Sequence, residues 1–194
     1  MSLAARIQER LMEYYGLEQV PDVTAFVRYR ENTDRERLLV REHDGELEIA
    51  LELPMMGHDE PLSLDTLCQV LEGVSHFVLV AERARRGLPV TQLELELQAE
   101  LDKFVLLGVD RPTPLETALV VDLRARLFDR VSFVDEPGSE KGERYRMANR
   151  LAARMAARID AEYLRRSRFV ELRSSLRRFY REGQTGKLDL ARAA

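Results

Sequence analysis

The sequence predicts an α+β protein that is predominantly helical. Residues 64–86 form a long helical pattern that is apolar on all but one narrow side. Residues 23–53 contain segments that alternate with a period of two, and residues 143–182 lack glycine and proline. We therefore expect an N-terminal helix, a three-stranded antiparallel meander, a helical body and a C-terminal helical arm. The body is predicted at residues 1–134, and the arm at residues 143–182 is expected to pack on it or on a second copy.

Composition limits the class of protein. With 194 residues, of which 45% are apolar and 33% are charged, the chain can bury a core without a metal or a disulfide. Its one cysteine, Cys68, excludes an intrachain disulfide and is interpreted as a small buried hydrophobe. Charged residues interrupt the apolar runs near the N-terminus, and no apolar run is long enough to span a membrane. We expect a cytoplasmic protein with no membrane contact and no cofactor.

The first part of the chain predicts one helix and three strands. Leu3, Ile7 and Leu11 recur at helical spacing, and Gly16 stands where a C-cap glycine belongs. After Pro21 the period changes to two. The predicted strands cover residues 23–30, 37–42 and 46–53, with turns at residues 31–34 and at Asp44-Gly45. The third strand alternates most clearly, so we expect it to bury one face and expose an acidic one.

Three helices are predicted after a loop at residues 54–61. Ser63 or Asp65 caps the first, which ends at Arg86 before Gly87. Thr91 and Glu94 form a capping box for the second, which ends near Gly108. Residues 93–97 alternate like a strand, but the leucines beyond them keep helical spacing and favour the helix. The third begins with a capping box at residues 113–116 and runs to about residue 129.

The C-terminal arm follows a linker at residues 135–142. Its two halves carry apolar stripes that differ in phase by about 100°, which predicts a break at residues 164–168. The first stripe contains Tyr145, Ala148, Ala152, Met155 and Ile159. From Gly183 onward the sequence offers little to pack, and we expect these residues to fray.

The polar side of the central helix is the first candidate site. It consists of Asp65, Gln69, Glu72, His76 and Arg83. Glu72 and His76 are one turn apart and are candidates for an acid and a base, or for two metal ligands. Helical bundles with di-metal centres use Glu-x-x-His, whereas the spacing here is Glu-x-x-x-His, so no metal site is assigned. The alternative is a polar seam or a solvent-exposed face.

Glu96 and Glu100 form the second candidate site. They are like charges at positions i and i+4, which destabilises an isolated helix by about 0.3 kcal/mol. A site built on Glu72 and His76 would have to recruit these carboxylates from the next helix. The alternative is an exposed helix face on which Lys103 offsets part of the repulsion.

Basic residues concentrate toward the C-terminus. Residues 140–187 hold 14 Lys and Arg against 6 Asp and Glu, whereas residues 1–139 hold 15 against 27. Arg146, Arg150, Arg154 and Arg158 recur at every fourth residue, a ladder suited to phosphates or to the acidic body. Nucleic-acid modules commonly interleave aromatic residues with basic ones, and an acidic body repels a duplex, so nucleic acid is not the favoured partner.

These observations predict a cytosolic, non-enzymatic interaction or regulatory protein that self-associates. The expected assembly is a homodimer through the arm, and a different protein is a further possible partner. The first alternative is an enzyme or metal-binding protein that uses Glu72, His76, Glu96 and Glu100, with Asp65, Gln69 and Arg83 as binding residues. The second alternative is nucleic-acid binding through Arg146, Arg150, Arg154 and Arg158.

Overall fold

The structure is a computed structural model that describes residues 1–31, 35–43, 46–55, 62–110 and 116–194. The described residues form seven α-helices and one three-stranded sheet, which confirms a predominantly helical α+β protein. They fall into two compact units. Unit 1 comprises Met1–Glu13 and Leu17–Pro89, and unit 2 comprises Tyr14–Gly16 and Val90–Ala194. The longest continuous segments of the two units meet near residue 90, and the linker predicted at residues 135–142 lies within unit 2.

The sheet of unit 1 consists of β1 (Val27–Arg30), β2 (Arg37–His43) and β3 (Glu46–Pro54). β2 pairs with β3 in antiparallel orientation, but β1 pairs with β3 in parallel, and the strand order is β1-β3-β2. The predicted antiparallel meander is therefore wrong in the pairing of β1. Burial gives the physical reason: Leu51 and Leu53 of β3 are 0% exposed, and a strand this buried satisfies its backbone best with a neighbour on each side.

Two helices of the N-terminal part match their predicted ends. α1 (Leu3–Tyr15) and α2 (Leu64–Arg85) are followed by Gly16 and Gly87, both in the left-handed conformation with φ of +66° and +62°. Ser63 caps α2 by accepting a hydrogen bond from the Thr66 backbone N–H at 3.0 Å. The residues before β1 depart from the prediction, because Val23–Ala25 form a 3₁₀ turn capped by Asp22.

α2 packs directly on the sheet within unit 1. A Cβ atom added at Gly73 would lie 2.9 Å from Leu51 Cδ1, so helix and strand approach as closely as a glycine allows. One turn later, the ring of Phe77 lies 5.0 Å from that of Phe26, between centroids. α2 also has the length and apolar composition of a membrane span, but 61% of the relevant window is buried. The core helix of a water-soluble protein has the same properties.

Unit 2 contains α3 (Gln92–Phe104), α4 (Thr117–Arg124), α5 (Glu140–Arg158), α6 (Phe169–Arg181) and α7 (Gln184–Arg192). The Thr91–Glu94 capping box of α3 is confirmed. α3, α4 and α5 each continue into a π-helical turn, at Val105–Val109, Ala125–Asp129 and Ile159–Leu164.

The break predicted in the arm is confirmed. Leu164 ends the third π-helical turn, Ser167 has a positive φ of 52°, and α6 begins at Phe169. The predicted fraying from Gly183 is wrong because α7 forms there. α5 packs along α3, and Ala148, Ala152 and Met155 of its apolar stripe are buried. α7 packs against α3, α5 and α6.

Four predicted features lie wholly or partly outside the described residues. They are the turn at residues 31–34, the Asp44-Gly45 turn, the loop at residues 54–61 and the capping box at residues 113–116.

Candidate functional site

Three of the exposed apolar side chains of unit 1 lie on β2 and β3. Leu39 and Val40 of β2 are both 48% exposed, and Leu47 of β3 is 39% exposed. Leu38, Leu39 and Val40 are consecutive in a strand whose side chains alternate between faces, so β2 presents apolar groups on both faces of the sheet. A strand with one buried face and one solvent-exposed face would instead alternate apolar and polar residues.

The backbone of β2 is an edge of the sheet. β2 pairs with β3 on one side, and no second neighbour lies beside it among the described residues. The charges that flank its apolar centre are matched within the sheet, because Arg37 lies opposite Glu52 and Arg41 opposite Glu48. Glu52 also accepts two hydrogen bonds from Arg30, at 2.9 and 2.6 Å. The centre of the edge is therefore apolar, and its flanking cations already lie beside carboxylates.

A shallow depression of about 710 Å³ covers part of this sheet. Side chains of all three strands or their flanks line it, including Phe26, Leu38, Val40, Leu47 and Ile49. Exposed apolar surfaces of this kind commonly mark sites of contact with a partner, whereas polar, solvated surfaces seldom do.

The polar side of α2 is solvated only at its beginning. Asp65 is exposed and accepts a hydrogen bond from Gln69 Nε2 at 2.9 Å. Gln69 and Glu72 are half-buried, and His76 and Arg83 are 8% and 5% exposed. The solvent-face interpretation thus fails for the second half of the helix. Cys68, predicted to be buried, is half-buried.

Glu72 and His76 are brought together by the helix. A carboxylate oxygen of Glu72 and a ring nitrogen of His76 lie within 4.8 Å of each other. A polar pair at this spacing can hold a proton between its members or supply two ligands to one cation. Catalysis or metal binding by this pair remains a prediction.

The two glutamates of α3 differ in environment. Glu96 is 4% exposed, whereas Glu100 is half-buried and lies 2.9 Å from Lys103 Nζ. The ion pair between Lys103 and Glu100 agrees with the expectation that Lys103 reduces the repulsion between Glu96 and Glu100. Glu96 does not lie on an exposed helix face, which was the simpler interpretation.

The arginine ladder of α5 is not a uniform basic stripe. Arg146 donates to the backbone carbonyls of Asp135 and Glu136, at 3.0 and 3.4 Å. Arg158 pairs with Glu162 at 3.0 Å, and that hydrogen bond raises the pKa of Arg158. Arg150 and Arg154 are exposed, and neither has an acidic partner among the described residues. Two solvated arginines on one helix are a weak basis for phosphate binding.

Asp160 was not singled out by the sequence analysis, yet it is only 2% exposed. It accepts hydrogen bonds from Arg165 at 3.2 and 2.9 Å, and Arg124 Nη1 lies 3.5 Å from it. It borders a cavity of about 50 Å³ that Gly108 and Phe169 also line. Ligand pockets measure about 300 to 1,000 Å³, so this cavity is too small for an organic substrate. The pairing with two guanidinium groups indicates a structural role.

A buried polar network in unit 2 was also missed. Tyr15 donates a short hydrogen bond to Asp102, and Gln98 Nε2 donates to the Tyr15 hydroxyl at 3.0 Å and to Asp102 at 2.8 Å. Lys187 Nζ donates to Gln98 Oε1 at 2.6 Å. The polar residues lie among apolar neighbours in their helices, and helical periodicity alone assigns such residues to the surface.

The run Leu38-Leu39-Val40, by contrast, is a sequence signal that could have indicated an edge strand exposed on both faces.

No protein-family model, curated protein or solved structure matches the chain.

Proposed function

We propose that the chain is a cytoplasmic, non-enzymatic interaction protein that self-associates by antiparallel pairing of β2 from two copies. The observation that supports this proposal most strongly is the apolar run Leu38-Leu39-Val40 on an edge strand, in which Leu39 and Val40 are exposed and Leu38 is half-buried. The proposal keeps the predicted homodimer but assigns its contact to β2 instead of to the arm.

Edge strands present unpaired N–H and C=O groups that can pair with another strand. Proteins that remain monomeric commonly protect such edges with a central lysine, a proline, a bulge or a covering element. β2 has neither proline nor lysine, and its regular pairing with β3 runs from Arg37 to His43. Its charged residues flank the apolar run instead of interrupting it. This composition favours pairing.

A two-fold axis through Leu39 gives a self-complementary register. Leu39 then lies opposite Leu39 of the second copy, and Leu38 lies opposite Val40 on both sides of the axis. Cross-strand apolar pairs of this kind contribute about 0.2 to 1 kcal/mol each. Arg37 comes opposite Arg41, but each arginine lies beside a glutamate of β3, which reduces the repulsion.

The arm is a weaker candidate for the dimer contact. Its first apolar stripe was expected to need a second copy or the body to cover it. In unit 2, α5 packs along α3, and Ala152 and Met155 are buried. The corresponding apolar area is therefore already covered.

Cysteine cross-linking tests the register. In a Cys68→Ala background, Leu39→Cys places two thiols opposite each other across the two-fold axis. Opposite residues in an antiparallel pair have Cα atoms about 4.5 to 5.5 Å apart, within the range that a disulfide spans. We expect rapid formation of a disulfide-linked dimer under mild oxidation. Val170→Cys, on α6 at a position 80% exposed, is the control and should cross-link slowly. Equal rates for the two variants would refute the pairing.

Metal binding is the second candidate function, and the proximity of Glu72 and His76 favours it. A divalent transition metal would take one ligand from each residue and complete its coordination with water or further side chains. Titration with Zn²⁺ in a calorimeter tests the idea. We expect the wild type to bind and His76→Ala to lose at least tenfold in affinity. Identical isotherms would remove this candidate.

A further inference from the structure

The amine of Lys187 is enclosed by unit 2. Lys187 lies on α7 and is 0% exposed, an unusual burial for a lysine. Its Nζ donates to Gln98 Oε1 at 2.6 Å, to the Phe179 carbonyl at 2.9 Å and to the Tyr180 carbonyl at 3.4 Å. A primary ammonium has three N–H donors, and three oxygens accept them here.

Aromatic faces complete the enclosure. Nζ lies 4.4 Å from the ring centroid of Phe179 and 5.5 Å from that of Tyr180, within the range of cation–π attraction. The two carbonyls belong to the last turn of α6, where the helix dipole favours a cation. Every wall of the enclosure thus favours a compact positive charge.

Gln98 is held so that its carbonyl oxygen faces the amine. Its Nε2 donates to Asp102 and to the Tyr15 hydroxyl, which assigns the amide nitrogen to the far side of the side chain. The Asp102 carboxylate, which accepts from Gln98 Nε2, adds negative charge to this part of unit 2. The receiving groups are therefore oriented by residues outside α7.

α7 itself contributes little apolar burial. Of its residues, only Lys187 and Ala191 are buried. Gly183 caps the helix without a side-chain hydrogen bond, and a Cβ atom there would meet nothing within 4 Å. An element that buries so little opens locally at a lower free energy than the unit around it. The buried ammonium is one of the polar contacts that hold α7, together with the hydrogen bond from Thr91 Oγ1 to Gln184 Oε1 at 2.7 Å.

We propose that the enclosure formed by Gln98, Phe179 and Tyr180 is a binding site for a primary alkylammonium group. Lys187 fills the site from within the chain, and a lysine side chain of another protein is the class of ligand that enters when α7 detaches. Three acceptors at hydrogen-bond distance suit a primary ammonium better than a quaternary amine, which has no donor, or a planar guanidinium. This site belongs to unit 2 and does not depend on the pairing of β2.

Chemical rescue of Lys187→Ala tests the site. The substitution removes the atoms of n-propylammonium, so that ion is the probe, and n-propanol at equal concentration is the neutral control. We expect a lower thermal midpoint for the variant and a saturable rise toward the wild-type midpoint with n-propylammonium only. Lys141→Ala, at a side chain 57% exposed, should show no such rise. If Lys187→Ala does not fold, n-propylammonium should restore folding during dilution from urea. An equal effect of n-propanol, or no saturable effect, would overturn the proposal.

Amine labelling of the wild type tests whether α7 detaches. The chain has three lysines, Lys103, Lys141 and Lys187, and reductive methylation followed by mass spectrometry reports each one. We expect Lys187 to react more slowly than Lys141 but faster than the protein unfolds. Labelling of Lys187 only at the rate of global unfolding would show that the site is closed to an external ligand, contrary to the proposal.

Discussion

At the scale of single residues, Tyr15 makes the stability of the folded protein depend on pH in the alkaline range. Its ring stacks on that of Tyr180, with 4.2 Å between centroids, and its hydroxyl faces Asp102. Burial raises the pKa of Tyr15 well above its ordinary value of 10.0, and the charge of Asp102 raises it further. Above about pH 10 the unfolded chain therefore releases a proton that the folded chain keeps. The stabilisation is complete below that pH and is lost as the pH rises toward the folded pKa.

The free energy of unfolding of the wild type should thus fall more steeply above about pH 10 than that of Tyr15→Phe. One proton corresponds to a difference of up to about 1.4 kcal/mol per pH unit. Urea unfolding at several pH values measures both slopes, and the comparison removes the contributions of other titrating groups. If the free energies of unfolding of the two proteins fall equally steeply with pH, the raised pKa of Tyr15 is contradicted.

Single residues also show what periodicity can and cannot predict. His76 is predicted to lie on a narrow polar side of its helix, and in the structure it is 8% exposed. The depth of burial cannot be predicted from helical periodicity, because it depends on which other elements of the fold cover each side of the helix. Lys187 and Gln98 were missed for this reason: a polar residue is assigned to solvent unless its partners are known, and these partners are 89 residues apart.

At the scale of elements, the contact between α2 and β3 depends on Gly73. A Cβ atom there would lie 2.9 Å from Leu51 and 3.1 Å from Leu53. We expect Gly73→Val to lower the free energy of unfolding by about 3 kcal/mol, because a branched side chain must separate the helix from the strand. Ala84→Val, on the same helix at an exposed position, should cost less than about 0.7 kcal/mol. Helix propensity alone would make Gly73→Val slightly stabilising, so a loss in chemical denaturation no larger than that of Ala84→Val would contradict the close contact at Gly73.

The break between α5 and α6 stores a small conformational strain at Ser167. Its φ of 52° is costly for a residue with a Cβ atom. Ser167→Gly relieves this cost but adds freedom to the unfolded chain, so we expect a net stabilisation of up to about 1 kcal/mol. Ser174→Gly, within α6, should instead lose about 0.5 kcal/mol. Thermal unfolding of both variants checks the opposite signs; destabilisation by Ser167→Gly would contradict the strain.

Element types and most element ends could be predicted because their signals are local. Capping residues and C-cap glycines act within one turn, as Ser63, Thr91 and Gly16 show. Strand order is not a local property. β1 and β2 were both predicted as strands, but no local signal indicates that β3, whose Leu51 and Leu53 are 0% exposed, lies between them and pairs with β1 in parallel. α7 could not be predicted either, because its buried residues are a lysine and an alanine, and Gln98, a partner of that lysine, is distant in sequence.

At the scale of the whole molecule, the charge of each unit predicts how salt affects assembly. Unit 1 contains 17 Asp and Glu against 10 Lys and Arg, whereas unit 2 contains 17 against 20. Pairing of β2 brings two copies of the acidic unit together, and their mutual repulsion opposes the apolar contact. Raising the salt from about 20 mM to about 500 mM should therefore tighten the dimer several-fold. A dimer that dissociates in high salt would indicate contact between opposite charges, as in the dimer through the basic arm.

Sedimentation equilibrium over a range of protein concentrations tests the central claim most directly. It measures the mass of the wild type, of Leu39→Lys and of the control Val170→Lys. A lysine at the two-fold axis brings two ammonium groups together on an edge strand, the same device that protects natural sheet edges. We predict a dimer for the wild type and the control and a monomer for Leu39→Lys at the same concentrations. A monomeric wild type, or a Leu39→Lys variant that dimerises as the wild type does, would contradict self-association through β2.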